Sequence, residues 1–276
     1  MKRKPKPILL TELSNWATVW TRYHAAPLDL SMCKDVARIE DGDAVGIKPD
    51  GQIQFLVLRN CIAPELEKLA RPVCRFISKC GSAAHRKVAS GFQPDPEASS
   101  VVMGYFERHR YQPYCRACPF NVDYPQLFDR MNPYIRKVDE IYRENLPEIY
   151  EIQNEAVSKT KPEWVIPGTG FTTVTVNKNW KTFGHPDEGN LTGAFSAMTC
   201  MAQGLAGGEL IFPKFQCAVE WGNGDVLLAN VHELHGNAPF VGLPGQFERM
   251  TCVFYFREKM IDCGTKAEEL DRLKHL

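Results

Sequence analysis

His185-Pro-Asp187 follows a Thr- and Val-rich run, and residues i and i+2 of an extended backbone point the same way. An imidazole and a carboxylate at this spacing can hold one metal ion. His232 and His235 lie just beyond the apolar run 226–231, and either can complete the set. Two histidines and one carboxylate on one face of an iron leave three positions open, as in non-haem iron oxygenases. Two of these take a keto acid and the third takes oxygen. Taken alone, His-x-Asp also describes a solvated turn.

Arg249 follows His235 by 14 residues and opens the run 250–257. A buried guanidinium there can fork onto the far carboxylate of a keto acid, whereas a surface arginine at a strand end would do nothing of the kind. Cys115-x-x-Cys118 is the one tight cysteine pair. Zinc needs four ligands, and the nearest further candidate is His109. Cys115 and Cys118 are therefore expected to be thiols, as are most of the ten cysteines if the compartment is reducing.

The elements that must carry these residues change character near residue 161. Before it, Pro49-Asp-Gly51 between 44–48 and 52–58 predicts a hairpin. Pro64 opens a helix to about Lys79, and Gly81 and Ser82 stop it. The stretch 90–100 reads as loop. Leu127, Met131, Ile135, Val138, Ile141 and Tyr142 recur at helical spacing, and Pro147 starts a further helix to about Lys159. After it, strands are expected at 171–177, 194–201, 209–212, 218–221, 226–231 and 250–257, separated by glycine turns. Many short strands imply a sandwich or barrel. The expected organisation is α+β: a disordered basic tail over 1–7, a mainly helical region with a small hairpin over 8–160, a β core over 161–264 and a C-terminal helix over 265–276.

Lys plus Arg and Asp plus Glu both total 33, which excludes a strong whole-chain field for nucleic acid and leaves only local patches. The segment 68–94 has six Lys/Arg and no Asp/Glu, either a solvated face or a phosphate-facing patch. No apolar run reaches membrane-spanning length and no signal-like apolar region follows the basic N-terminus, so an intracellular protein without a membrane partner is expected.

Gly207-Gly-Glu-Leu-Ile-Phe-Pro213, Gly224-Asp-Val-Leu-Leu228, His235-Gly-Asn-Ala-Pro-Phe240 and Arg249, taken with His185-x-Asp187, resemble the 2-oxoglutarate oxygenase superfamily in order and type. The resemblance implies a double-stranded β-helix, or jelly roll, over roughly 165–262. It makes His185, Asp187 and His235 the ligands of iron(II), and Arg249 the anchor of 2-oxoglutarate. His232 becomes a supporting residue or an alternative ligand.

Phe171-Thr-Thr-Val-Thr-Val-Asn177, Val231-His-Glu-Leu-His-Gly-Asn237 and Tyr255-Phe-Arg-Glu-Lys-Met260 resemble more narrowly the ten-eleven translocation and base-J-binding-protein oxygenases, which act on the 5-methyl group of pyrimidines in nucleic acid. That resemblance implies oxidation of 5-methylcytosine in DNA to 5-hydroxymethylcytosine or beyond, by a monomer using iron(II), 2-oxoglutarate and ascorbate as reductant, with the base flipped out of the duplex. Asn190 matches a residue that hydrogen-bonds cytosine, and an amide both donates and accepts. Tyr255 matches an aromatic that stacks on the base. Arg257 stands where relatives have a histidine near the base. Asn177 is a candidate for the keto acid's near carboxylate. The segments 71–87 and 108–116 are candidates for phosphate contacts. The compact stretch 191–206 departs from a longer glycine-rich insertion common in relatives. A thymine hydroxylase, an enzyme on methylcytosine using ascorbate in place of 2-oxoglutarate, a prolyl-hydroxylase-like enzyme on protein and an inactive nucleic-acid-binding module are the alternatives. A eukaryotic source implies the nucleus, and a phage source the host cytoplasm.

Overall fold

The computed structural model describes residues 4–33, 38–80, 98–243 and 245–275. The first half contains β1 (Lys6–Leu9), α1 (Trp16–Tyr23), β2 (Arg38–Ile39), β3 (Ala44–Ile47), β4 (Ile53–Leu58), α2 (Pro64–Cys80), β5 (Ser99–Phe106), β6 (Arg116–Ala117), α3 (Pro119–Asp123), α4 (Pro125–Asn145) and α5 (Pro147–Lys159). The second half contains β7 (Thr173–Lys178), β8 (Ser196–Gln203), β9 (Leu205–Gly207), β10 (Leu210–Phe212), β11 (Cys217–Val219), β12 (Val226–Ala229), β13 (Gly236–Asn237), β14 (Phe240–Gly242), β15 (Glu248–Tyr255) and α6 (Lys266–Lys274).

The strands of the described residues form a major sheet, β1-β3-β4-β12-β8-β15-β7-β5-β6, a minor sheet, β13-β10-β11-β2, and the pair β14-β9. This is the jelly-roll core expected, in an α+β chain. Period-two alternation explains how the layers pack. In β12, Val226 and Leu228 face a core shared with α2 and α4, including Ile77, Met131 and Ile135. Leu227 and Ala229 face the opposite core, shared with Leu210, Phe212 and Val219 of the minor sheet. Each fully buried Leu, Ile or Phe of this kind contributes roughly 1.5–3 kcal/mol. In β7 and β15 the same alternation sends Val174, Val176, Cys252 and Phe254 to the helices. Thr175, Asn177, Thr251, Val253 and Tyr255 are left facing the pocket between the sheets.

Four expectations are corrected. Lys6 and Pro7 do not belong to a disordered tail: they sit in β1, paired in parallel with Ala44 and Val45, and the strand leads into buried Leu10. Residues 1–3 of that tail lie outside the described residues. Residues 99–106 form β5, a strand the Ser-, Pro- and Gly-rich stretch before it obscured, paired with β7 from Ser99↔Lys178 to Gly104↔Thr173. Strands from before residue 161 thus extend both sheets of the β core, and the boundary expected there is no break in them. Cys115 is not a thiol but is bonded to Cys263, because the chain's end folds back onto it; Cys118 is a buried thiol. Neither belongs to a metal-binding cluster among the described residues. No described helix is long and apolar enough to cross a membrane.

Candidate metal centre and substrate pocket

His185 and His235 face each other across an isolated antiparallel bridge, with His185 N–H donating to His235 O at 2.9 Å and the reverse bond at 3.0 Å. Asp187 N–H donates to Val231 O at 2.9 Å. The two segments are therefore zipped by main chain, and one donor atom from each of His185, Asp187 and His235 lies within 4.8 Å of the others. His185 Nδ1 lies 2.8 Å from Phe183 O and His235 Nδ1 lies 3.0 Å from Glu233 O. A carbonyl partner assigns the proton to Nδ1 and leaves Nε2 with its lone pair, which suits a metal ligand. Burial, then the neighbouring His185, lowers the His235 pKa to about 4, so the imidazole is neutral at neutral pH. His232 turns away, its Nε2 3.4 Å from Leu191 O, and it is not in the cluster.

A glycine the sequence reading passed over anchors this end. Gly184 exchanges backbone bonds with Ala25 and Ala26, and a Cβ on it would sit 2.1 Å from Tyr23 O. The segment after α1 thereby reaches the residue next to His185, and His24 and Ala25 help to line the pocket.

Arg249 is 3 % exposed, and its guanidinium contacts among the described residues are a carbonyl and two aromatic rings. Its Nη2 donates to Gly208 O at 3.0 Å, and its guanidinium lies over the rings of Phe240 and Trp221 at 5.2 and 5.7 Å. Gly208 has a φ of +91°, and a Cβ there would meet Arg249 Nε at 2.8 Å. The glycine pair read from sequence as a turn thus also makes room for the arginine. Among the described residues this buried cation has one carbonyl and two ring faces and no counter-charge, and a carboxylate ligand supplies one.

The other end of the pocket is built from side chains. Asn190 is buried, and its Nδ2 donates to Ser196 Oγ at 3.0 Å and more weakly to Asp187 Oδ2 at 3.4 Å. Its backbone pairs with that of Arg257. Burial opposes the Arg257 charge, but hydrogen bonding to Glu107 raises its pKa above the ordinary arginine value. The Tyr255 hydroxyl is 3.1 Å from Thr175 Oγ1, and Asn177 Nδ2 is 3.4 Å from Thr251 Oγ1. Asn177, His185, Asp187, Asn190, His235, Arg249, Tyr255 and Arg257 all line one pocket of about 680 Å³. Of the residues proposed from sequence for iron, keto acid or base, His232 stays off its wall. Sequence reasoning missed Ser196, six residues from Asn190, and it missed Trp221 and Glu107, whose partners Arg249 and Arg257 are distant along the chain.

The basic segments are partly paired within the chain. Arg71 and Arg75 pair with Glu248, and Arg108 pairs with Glu269, so much of their charge is used internally. Residues 81–87 lie outside the described residues.

The donor set fits iron(II), and the buried guanidinium fits the far carboxylate of 2-oxoglutarate. The chain is 28 % identical to a thymine dioxygenase JBP1 of Leishmania infantum over 230 residues, covering 81 % of this chain and 27 % of that protein. It is 31 % identical to thymine dioxygenase JBP1 of Crithidia fasciculata over 180 residues, covering 63 % and 22 %. It is 24 % identical to a bifunctional helicase and thymine dioxygenase JBP2 of Trypanosoma brucei brucei, covering 84 % and 21 %. The chain therefore spans about a quarter of the length of these curated relatives. Its fold matches a solved structure of NgTET1 in complex with 5mC DNA, with a TM-score of 0.59 and 16 % identity, covering 90 % of this chain and 96 % of that one. The family model Tet_JBP, the oxygenase domain of the 2OGFeDO superfamily, matches residues 101–258, more than half of the chain. The chain belongs to this oxygenase-domain family, whose superfamily implies iron(II) and 2-oxoglutarate as cofactors.

Proposed function

We propose that this chain oxidises the 5-methyl group of 5-methylcytosine in DNA, acting as a monomer within the cell. The nucleus is its place in a eukaryote, and the host cytoplasm if a phage encodes it. The observation that carries the reading is the shared pocket: a two-histidine, one-carboxylate cluster, the buried guanidinium of Arg249 and the Asn190–Arg257 pair open onto one space.

His185, Asp187 and His235 hold the iron in this reading, and Arg249 holds the far carboxylate of 2-oxoglutarate. Asn177 is assigned its near carboxylate, and His232 supports the segment between Val231 and His235. Bound together, iron(II) and 2-oxoglutarate supply the oxygen activation and hydroxylation chemistry, with ascorbate keeping the iron reduced. The chain's own residues bind, orient and exclude water. Asn190 spends its two N–H groups on Ser196 and Asp187, so its oxygen remains to accept from the 4-amino group of cytosine. Tyr255, with its hydroxyl engaged by Thr175, presents a fixed ring for the base to stack on. Arg257, held by Glu107, offers a donor to the acceptor edge of the base. A base still stacked in a duplex cannot enter such a pocket, so the target is flipped out, which costs a few kcal/mol.

The relatives named as thymine dioxygenases favour a second reading, in which the substrate is thymine in DNA. Nucleoside mass spectrometry of one duplex containing both bases decides between them. 5-Hydroxymethylcytosine is the expected product. 5-Hydroxymethyluracil instead overturns the role given to Asn190, and succinate without any modified base points to a protein substrate.

A further inference from the structure

Residues 107–115 form a hairpin that starts at the pocket wall and ends in solvent. At its root Glu107 pairs with Arg257, which lines the pocket. Arg108 pairs with Glu269 of α6, and Cys115 is tied to the same C-terminal region by its N–H bond to Glu269 Oε2 at 2.9 Å and by the disulfide to Cys263. At its tip, His109 and Gln112 exchange backbone bonds of 2.9 and 2.8 Å, which closes a two-residue turn over Arg110 and Tyr111. Tyr111 is 74 % exposed. The Arg110 guanidinium lies 4.5 Å from its ring centroid and the His109 ring 5.5 Å.

The Tyr111 ring stands in solvent on a support pinned by Glu107, Arg108 and Cys115. Neither the pocket chemistry nor the core uses it. We propose that Tyr111 is a wedge: when a target nucleotide leaves the duplex for the pocket, the Tyr111 ring enters the stack it vacates, and Arg110 meets the adjoining phosphate. The proposal rests on the reading of the substrate as duplex DNA. Its physics is general: extruding a base costs unstacking energy, and an inserted ring restores part of it. Base–aromatic stacking is sequence-tolerant, so the wedge favours duplex opening without choosing the base.

The test compares kcat/KM on a methylated duplex with kcat/KM on the same strand alone, for the intact protein, Tyr111→Ala and Tyr111→Trp. The single strand needs no base extracted from a pair. Tyr111→Ala is expected to lower the duplex-to-single-strand ratio about tenfold or more, and Tyr111→Trp to keep it. Fluorescence of 2-aminopurine beside the target, bright when unstacked, is expected to rise less with Tyr111→Ala on the duplex. An unchanged ratio, or equal loss on both substrates, overturns the wedge and leaves the functional reading standing. Intact protein that oxidises neither form overturns the functional reading and the wedge with it.

Discussion

The two ends of the pocket are built by different means. At the metal end, main chain does the positioning: His185 and His235 bridge through backbone bonds, Asp187 is pinned to Val231, and each histidine Nδ1 meets a carbonyl two residues back. At the far end, side chains position one another: Arg257 by Glu107 and Tyr255 by Thr175 across long sequence separations, and Asn190 by Ser196 six residues on. Backbone-built geometry needs a specific local sequence, so it writes itself as a motif. Side-chain-built geometry needs only a compatible partner anywhere in the fold, so it can vary without disturbing the scaffold. The metal end is thereby suited to a fixed chemistry and the far end to substrate choice.

The largest effect expected from breaking this contrast is at the metal end. Asp187→Ala or His185→Ala removes a ligand, and iron(II) affinity measured anaerobically should fall at least about 100-fold with the thermal unfolding of the metal-free protein little changed. Next comes Arg249→Ala, which takes away a charge-assisted contact. The KM for 2-oxoglutarate should rise by about 10- to 100-fold, while iron affinity holds, because the guanidinium is held by Gly208, Phe240 and Trp221 and not by the three ligands. A fall in iron affinity equal to that in keto-acid affinity would show the two subsites to be one cooperative unit.

Acid probes the metal end without mutation. His235 titrates at about 4 in the folded chain, against an ordinary 6.5. Between those values the unfolded chain binds a proton that the folded chain refuses. The stability associated with His235 is therefore full above pH 6.5 and is lost as pH falls through 4, by on the order of 3 kcal/mol. Denaturant unfolding of the metal-free protein between pH 7 and 4, compared with His235→Asn, checks this: the variant should show the shallower slope.

At the far end, Glu107→Gln leaves the Arg257 guanidinium partly buried without its counter-charge. A stability loss of about 2–3 kcal/mol is expected, smaller than for a wholly buried pair. Replacing Arg257 by Met in the same chain should recover part of it. The kinetic signature should be a raised KM for DNA with the KM for 2-oxoglutarate unmoved. A shift in the latter would contradict the division of the pocket into two ends.

The same contrast governs what the sequence could reveal. His185-x-Asp187 could be read because i, i+2 spacing on extended backbone already aims two ligands together, whereas the choice of His235 over His232, and the role of Arg249, came from the family resemblance and not from spacing. The strand pattern from 171 onward was legible because Val/Thr alternation and glycine turns are local signals; it carried a sandwich or barrel, and the resemblance narrowed that to the jelly roll. Glu107 carries no such signal: its partner is 150 residues away and the intervening chain gives no sign of the contact. Cys115 could not be paired with Cys263 for the same reason, their separation being 148 residues. Trp221 looked like a strand end, yet it supplies a ring face to Arg249. β1 was hidden by Lys6 and Pro7, residues tolerated there because the strand lies at the edge of the major sheet.

The most direct test of the pocket as a DNA-oxidising centre is nucleoside mass spectrometry of duplex DNA carrying 5-methylcytosine, incubated with iron(II), 2-oxoglutarate and ascorbate. Intact protein should give 5-hydroxymethylcytosine, and both omission of 2-oxoglutarate and Asp187→Ala should abolish it. Oxidised base that persists without 2-oxoglutarate or without Asp187, or no oxidised base from any arm, would contradict the assignment of this pocket.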